Sequence, residues 1–246
     1  QIWSTLPNSV TDADADNDTL TSTFTVGTNG QTLPFTEDFE TINPGDIPAN
    51  WTRYDWDAFD EWFVYGMSGN KAMAFNNYAY TGAQNTKDDL TLPILDLTGN
   101  TSVWLTFDLS HASKPNSTAF DSLEVLISTD CGNTFTSIWS RGGTALNTVA
   151  DNPNLFIPSS MADYQNMQID LSSYTTYNNV IIRFTNWSNN NNSILIDNIN
   201  ILDSLSTTAV EDASTSLSVT VYPNPASESV QINFTLKQTG EVELKL

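Results

Sequence analysis

The stretch Ile194-Leu195-Ile196-Asp197-Asn198-Ile199-Asn200-Ile201 is one of nine short β-like segments between residues 33 and 203. Its isoleucines recur among polar residues, and β-branched side chains at this spacing indicate a strand with an apolar face. The other eight segments are 34–40, 61–66, 71–75, 103–109, 122–128, 135–139, 167–171 and 180–186. Glycine, asparagine, aspartate and proline separate them and helical periodicity is almost absent, so the sequence predicts an all-β sandwich. The connections range from tight turns to the long excursion 141–163, which favours a jelly-roll β-sandwich over a meander.

The composition supports a packed core and disfavours some partners. The 246 residues are 39% hydrophobic and 11% aromatic, which is enough for a globular domain. Eight basic residues against 29 acidic residues give a net charge of −21, which repels nucleic-acid phosphates and anionic lipid head groups. We therefore expect no nucleic-acid partner. Such an acidic excess is compatible with bound cations, and equally with a role in solubility alone.

The single cysteine, the length of the apolar runs and the first residues bear on how the protein is stabilised and exported. Cys131 has no partner for an intrachain disulfide, and we expect it to be a small buried apolar residue. No run of 18 apolar residues occurs, so we expect no transmembrane segment. Gln1 leads directly into polar sequence without a signal peptide, and we expect an exported precursor to begin further upstream.

Five organisational segments follow from the residue patterns. Residues 1–27 end in an alternating strand pattern and resemble the tail of an upstream immunoglobulin-like adhesive module, and 28–32 form a linker. Residues 33–203 form the main β domain. Residues 204–216 have the Ser/Thr-rich composition of a linker, and 217–246 form a small C-terminal β module.

Several motifs of the main domain occur together in a fixed order. They are Pro34-Phe35-Thr36-Glu37-Asp38-Phe39-Glu40, Ile47-Pro48-Ala49-Asn50-Trp51, Asp55-Trp56-Asp57 with Trp62, the segment 121–132, and Ile196-Asp197-Asn198-Ile199. In this combination they resemble the MAM-like, choice-of-anchor J and cleaved-adhesin domains. The resemblance implies a jelly-roll sandwich that serves as an accessory or adhesive module and carries structural calcium.

Carboxylates from distant segments are candidate calcium ligands, because calcium binds about six to eight oxygens. The candidates are Glu40, at the end of the first core strand, Asp55, Asp57 and Asp60, in the loop after Trp51, and Asp197, among the isoleucines of the last strand. An unpaired buried carboxylate at Asp197 would be costly. A salt bridge with Arg183 is the alternative to a metal there. The family resemblance favours metal for Glu40, Asp197 and one or more of the loop aspartates.

Catalytic motifs are missing from the sequence, whereas aromatic residues are concentrated in one region. His111 is the only histidine, and the zinc-protease, nucleophile-elbow and phosphate-loop motifs do not occur, so we expect no enzyme activity and a structural, hydrogen-bonded His111. The candidate rings for glycan stacking are Tyr54, Trp56, Tyr78 and Tyr80. The alternative is that most rings in this region belong to the core, as we expect for Trp51 and Trp62.

The C-terminal module has its own signature. Val219 and Val221 alternate with polar residues, Tyr222-Pro223-Asn224-Pro225 follows, and residues 230–236 alternate again. This pattern resembles the C-terminal sorting domain of type IX secretion cargo, whose hallmark implies a sorting motif of Val221, Tyr222, Pro223, Asn224 and Pro225. Because thirty residues bury too little apolar surface to fold alone, we expect a partial small β-sandwich cut short at Leu246. A final hairpin of an ordinary sandwich is the alternative.

Together these features predict a secreted or cell-surface non-catalytic β-sandwich module, for adhesion or accessory binding, exported as type IX cargo. The implied partners are the type IX translocon and an outer-membrane shuttle protein, with a surface glycan as a further partner. The implied location is the medium or the outer-membrane surface of a Gram-negative bacterium, reached through the periplasm. Two alternatives stay open: the accessory C-terminal region of a secreted metalloprotease or glycosidase, and a substrate held by the secretion apparatus.

Overall fold

The computed structural model describes residues 2–3, 19–20, 30–67, 69–80, 82–203, 218–222 and 231–235. The chain divides into two compact units, Gln1–Asp203 and Ser204–Leu246. Within the described residues no helix is long and apolar enough to cross a membrane.

Regular structure in the described residues consists of β-strands and short 3-10 helices. In chain order the strands are β1 (Ile2–Trp3), β2 (Thr19–Leu20), β3 (Gln31–Thr32), β4 (Phe35–Glu37), β5 (Thr52–Asp55), β6 (Phe63–Met67), β7 (Asn70–Phe75), β8 (Thr86–Thr91), β9 (Leu95–Asp96), β10 (Val103–His111), β11 (Ser122–Ser128), β12 (Thr136–Gly142), β13 (Gln165–Asp170), β14 (Ile181–Ser188), β15 (Ile194–Asp203), β16 (Ser218–Tyr222) and β17 (Gln231–Thr235). The 3-10 helices are Gly143–Leu146, Met161–Asp163 and Ser172–Tyr174.

Two large antiparallel sheets form the sandwich of the first unit, which also contains the two-stranded pairs β1-β2 (antiparallel) and β3-β9 (parallel). The six-stranded sheet has the order β13-β10-β15-β7-β6, with β4 also paired to β15. The five-stranded sheet has the order β12-β11-β14-β8-β5. Sequence neighbours such as β10 and β11 lie in different sheets, and the predicted jelly-roll β-sandwich is confirmed.

The hydrophobic core lies between the two sheets. Strand alternation sends one face inward: Leu105 and Phe107 of β10 and Val125 of β11 are fully buried. Phe107 meets Phe184 of β14 with ring centroids 5.1 Å apart and the rings at 88°, the edge-to-face geometry that aromatic pairs prefer. Trp51 and Trp62 also belong to this core, as predicted from the sequence.

A bulge interrupts the pairing of β10 with β15. Thr106 pairs with Asn200, and Asp108 pairs with Asp197, so β15 has one extra residue between these pairs. Asn198, within the bulge, has a positive φ of 48°, a conformation that asparagine tolerates better than most residues. The bulge explains how Ile196 and Ile199, three positions apart, both reach the core.

Several details of the sequence-based prediction are wrong. The first core strand ends at Glu37, so Glu40 lies in the following turn rather than at the strand end. β5 and β8 were missed, because the polar run Lys87-Asp88-Asp89 hides the alternation of β8. Cys131 is exposed rather than buried, in a turn where its φ is +62°.

The second unit contains one described strand pair. β16 and β17 are antiparallel, with Val219 opposite Phe234 and Val221 opposite Ile232. Both strands were predicted from their alternation. Residues 223–225 of the sorting motif and the expected third strand lie outside the described residues. So does most of the alternating strand predicted at the end of residues 1–27, of which Leu20 lies in β2.

Candidate functional site

An acidic cluster lies where β5 meets β8 at the edge of the five-stranded sheet. Asp55 and Asp57 each place a carboxylate oxygen within 4.8 Å of one from Asp88 and of each other. Asp55 Oδ1 also accepts hydrogen bonds from the backbone N–H groups of Asp57 (2.8 Å) and Ala58 (2.7 Å), which shape the loop after β5. Two of the predicted metal ligands, Asp55 and Asp57, are therefore brought together.

Asp88 is the buried member of this acidic cluster, and the sequence analysis missed it. Its side chain is 1% exposed, and neither carboxylate oxygen has a hydrogen-bond partner. Burial, and after it the charges of the nearby carboxylates of Asp55 and Asp57, together raise the pKa of Asp88 to about 8. A buried carboxylate without a partner is costly, so Asp88 has the properties expected of a cation ligand.

Hydroxyl groups extend the oxygen-rich surface of the acidic cluster. The Tyr80 hydroxyl contacts both the Asp57 carboxylate and the Thr86 hydroxyl. Burial acts to raise the pKa of Asp57, but hydrogen bonds from Tyr80 and Thr86 lower it overall. Asp60 stands close by: its pKa is raised, first by burial and then by the charges of Asp55 and other neighbouring carboxylates. Carboxylate and hydroxyl oxygens are hard ligands of the kind calcium binds.

Glu40 and Asp197, the other predicted ligands, are not part of this cluster. Asp197 accepts a hydrogen bond from Asn70 Nδ2 (3.0 Å) on the six-stranded sheet. Its pKa is raised to about 6 by burial, with contributions from the charges of Asp108 and Glu40. Glu40 Oε1 accepts a hydrogen bond from the Lys71 backbone N–H at 2.7 Å. Asp108 pairs with Asp197 across β10 and β15, and the charge of Glu40 acts on Asp197, but within the described residues only Asp55, Asp57 and Asp88 bring three carboxylates within 4.8 Å of one another.

The salt-bridge alternative for Asp197 is wrong. Arg183 lies on β14 of the five-stranded sheet, and its Nη1 is 3.4 Å from Asp89 Oδ2. Asp197 has an amide partner, Asn70, in place of a cation.

The predicted glycan-stacking rings have different surroundings. Tyr54 is 58% exposed and Trp56 is 52% exposed, and their ring centroids are 4.7 Å apart. Tyr78 is half-buried, with Lys114 Nζ 4.3 Å from its ring centroid. Tyr80 is buried against the acidic cluster, so its ring does not belong to the exposed set.

His111 has the structural surroundings expected from the sequence. Its ring is buried, and Nδ1 lies 3.0 Å from the backbone carbonyl oxygen of Ser193. Burial lowers the pKa of His111 to about 4, so the ring is neutral near pH 7. A neutral ring can donate its Nδ1–H to that carbonyl, which satisfies the buried group.

No protein-family model matches the chain, and no curated protein matches it. Solved structures with a similar fold include the K1 and K3 cleaved-adhesin domains of Lys-gingipain from Porphyromonas gingivalis. The K1 domain is 21% identical with a TM-score of 0.49, covering 70% of this chain and 99% of that one. The K3 domain is 18% identical with a TM-score of 0.46, covering 69% and 98%.

A carbohydrate-binding module is also similar in fold. The family 11 module from Clostridium thermocellum, solved with a mixed-linked tetrasaccharide, is 17% identical with a TM-score of 0.41, covering 69% of this chain and 94% of that one. Similarities of this strength say nothing about the ligand of the present chain.

The sequence analysis missed two acidic residues, Asp88 and Asp108. Asp88 lies on β8, which the sequence analysis did not identify as a strand, and Asp108 lies on β10 directly opposite Asp197 of β15. One signal was available, because Asp88 is two residues before Leu90, and alternation places both side chains on the same, inward face.

Proposed function

We propose that residues 30–203 form a calcium-stabilised, non-catalytic binding module of a secreted or cell-surface protein. The observation that supports this best is the orphaned Asp88 carboxylate beside Asp55 and Asp57. Three carboxylates at this distance repel one another, and a divalent cation removes that repulsion.

The calcium would be held by Asp55, Asp57 and Asp88, with Asp60 and the Tyr80 hydroxyl nearby. When bound, it supplies positive charge that neutralises the carboxylates. The protein side chains do the rest: Asp55 fixes the loop through its backbone hydrogen bonds, and Trp62 Nε1 donates to the Asp88 backbone oxygen at 3.0 Å. The loop that carries the exposed rings is thereby connected to the core.

A second calcium is proposed at Asp197, Asp108 and Glu40. Asp108 and Asp197 are directly paired across β10 and β15, and like charges in that position are destabilising without a counter-ion. The resemblance to cleaved-adhesin domains, which implies metal at Glu40 and Asp197, supports the same site.

The export route is part of the proposal. β16 ends at Tyr222, immediately before Pro223-Asn224-Pro225, in the order of a type IX sorting signal. The proposed partners are the type IX translocon and an outer-membrane shuttle protein, and the proposed location is the medium or outer-membrane surface of a Gram-negative bacterium.

Titration calorimetry of chelator-treated full chain with CaCl₂ tests the metal proposal. We expect binding that Asp88→Asn weakens at least tenfold, and a matched change at the exposed Asp46, Asp46→Asn, should leave it unchanged. Absence of calcium binding to the folded protein would overturn the proposal.

A further inference from the structure

The outer face of the five-stranded sheet carries a groove of about 400 Å³, a volume within the range of small-ligand sites. The residues that matter for its chemistry are Trp56, Lys87, Asp89, Glu124, Arg183 and Trp187. We refer to it as the outer groove. The inference drawn from it deepens the proposed function, because it names the ligand of that binding module.

Strand alternation explains why these side chains share one face. Phe184 of β14 is buried in the core, so its neighbours Arg183 and Thr185 point outward. Thr185 pairs with Glu124 of β11 on one side and with Asp89 of β8 on the other. One row of polar side chains therefore crosses three adjacent strands.

Asp89 organises this row. Its carboxylate accepts hydrogen bonds from Trp56 Nε1 (2.9 Å) and Thr185 Oγ1 (2.6 Å), and Arg183 Nη1 is 3.4 Å away. Asp89 is 3% exposed, so its role in the free protein is to hold its neighbours in place. A binding group that is fixed before the ligand arrives loses little entropy on binding.

Trp56 is fixed in this way and still open to solvent. Besides its hydrogen bond to Asp89, its ring has Lys87 Nζ 4.2 Å from the centroid and the Tyr54 ring at 4.7 Å. About half of Trp56 remains exposed. An immobilised, exposed indole offers a large contact area at low entropic cost.

A second indole lies further along the groove. Trp187 is half-buried on β14, its Nε1 donates to Glu124 Oε2 at 3.3 Å, and its backbone pairs with Lys87 of β8. The groove thus presents two indole rings, each with its N–H bonded to a carboxylate.

The charges of the outer groove balance. Lys87 and Arg183 are cations, and Asp89 and Glu124 are anions. A ligand with a net charge gains nothing from such a set, whereas hydroxyl groups can accept from the cations and donate to the carboxylates. On a protein of net charge −21, an anionic ligand would also be repelled at long range.

We propose that the outer groove binds an uncharged oligosaccharide, whose sugar faces stack on Trp56 and Trp187 and whose hydroxyl groups bond to Glu124, Lys87 and Arg183. Rings fixed at their N–H, balanced charge and a concave surface that combines apolar and polar groups together match this class of ligand.

The test is a panel of neutral oligosaccharides of about three to six hexose units, titrated into the full chain while tryptophan fluorescence is recorded. A matched panel of uronic-acid oligosaccharides tests the charge argument. We expect at least one neutral oligosaccharide to bind with saturation, and both Trp56→Ala and Trp187→Ala to weaken its affinity at least tenfold.

Trp104→Ala is the matched control, because Trp104 is a half-buried indole on β10 of the other sheet and lies away from the groove. It should leave the affinity unchanged. A blank neutral panel, binding of acidic oligosaccharides alone, or equal loss in Trp104→Ala would each overturn the proposal. Titration in calcium and in chelator separates this result from the metal proposal, since binding with no calcium effect supports the groove alone.

Discussion

Asp55 and Asp88 are directly opposite each other across β5 and β8, and their carboxylate oxygens come within 4.8 Å. Like charges in directly opposed positions destabilise a strand pair. Here one of the two is also buried without a hydrogen bond. The pairing of β5 with β8 is therefore the part of the fold most sensitive to cations.

Calcium should raise the melting temperature of the full chain. Saturation at roughly a hundredfold excess over Kd adds about 2.7 kcal/mol, which corresponds to roughly 5–10 °C for a domain of this size. Scanning calorimetry in millimolar CaCl₂ and in excess chelator measures the difference. Identical melting curves in the two conditions would contradict the metal proposal.

The effect of Asp88→Asn on the melting temperature should have opposite signs in chelator and in calcium. In chelator the substitution replaces a carboxyl group that keeps its proton up to a pKa of about 8 with a neutral amide of similar shape, so the variant should melt at or above the wild-type temperature. In calcium it removes a ligand, so the variant should melt below wild type. Asp46→Asn serves as the exposed control. A variant that is less stable by the same amount in both conditions would indicate a purely structural role for Asp88.

The metal-free protein should lose stability as the pH rises from about 4 to about 8. Burial and neighbouring carboxylates raise the pKa of Asp88 from 3.8 to about 8. Between these values the folded state keeps a proton that the unfolded chain has released, so unfolding becomes easier as the pH rises. Urea titrations in chelator at several pH values test this. The slope should be smaller in Asp88→Asn, and an unchanged slope would argue against the raised pKa.

The titration of His111 should make the protein more stable as the pH rises, the opposite of the effect of Asp88. Burial lowers its pKa from 6.5 to about 4, so in this window the unfolded chain binds a proton that the folded state refuses. Its contribution to stability is complete above pH 6.5 and is lost as the pH falls toward 4. The difference between wild type and His111→Asn, measured by urea titration across this range, isolates the effect. A constant difference would mean that His111 titrates normally.

Export should depend on residues 204–246 together with any native sequence that follows. A fluorescent reporter carrying this segment should reach the medium or surface of a type IX-competent bacterium and remain in the periplasm of a translocon mutant. Replacing Pro223 and Pro225 with alanine should reduce export, because proline fixes φ in the turn. A reporter retained in the periplasm of competent cells that export the native protein would show that β16 and β17 are only structural.

The fold was predictable where strands alternate and was missed where they do not. β11 was found with its exact bounds, since Leu123, Val125 and Ile127 mark its inward face. β8 was missed because Asp88 occupies an inward position that a core strand normally gives to an apolar residue. The site was half-predicted for the same reason: Asp55 and Asp57 are neighbours in sequence, while their buried partner reaches them only through strand pairing.

The residues of the outer groove were harder to predict from the sequence. Trp56 was predicted as a binding residue, but Trp187 and Glu124 lie far from it in sequence and meet it only because β8, β11 and β14 are adjacent. Such adjacency depends on the sheet order, which local patterns do not encode.

The bulge in β15 changes which residues of that strand face the core. A regular strand has a fixed phase, so every odd position must share one environment. The extra residue at Asn198 resets that phase, so Ile194 and Ile196 before it and Ile199 and Ile201 after it all face the core. Deletion of Asn198 would remove the extra residue, so the isoleucines would fall into regular alternation and β10 and β15 would pair without a bulge. One asparagine with a left-handed backbone conformation thus lets a single β-strand keep unevenly spaced isoleucines in the same hydrophobic interior.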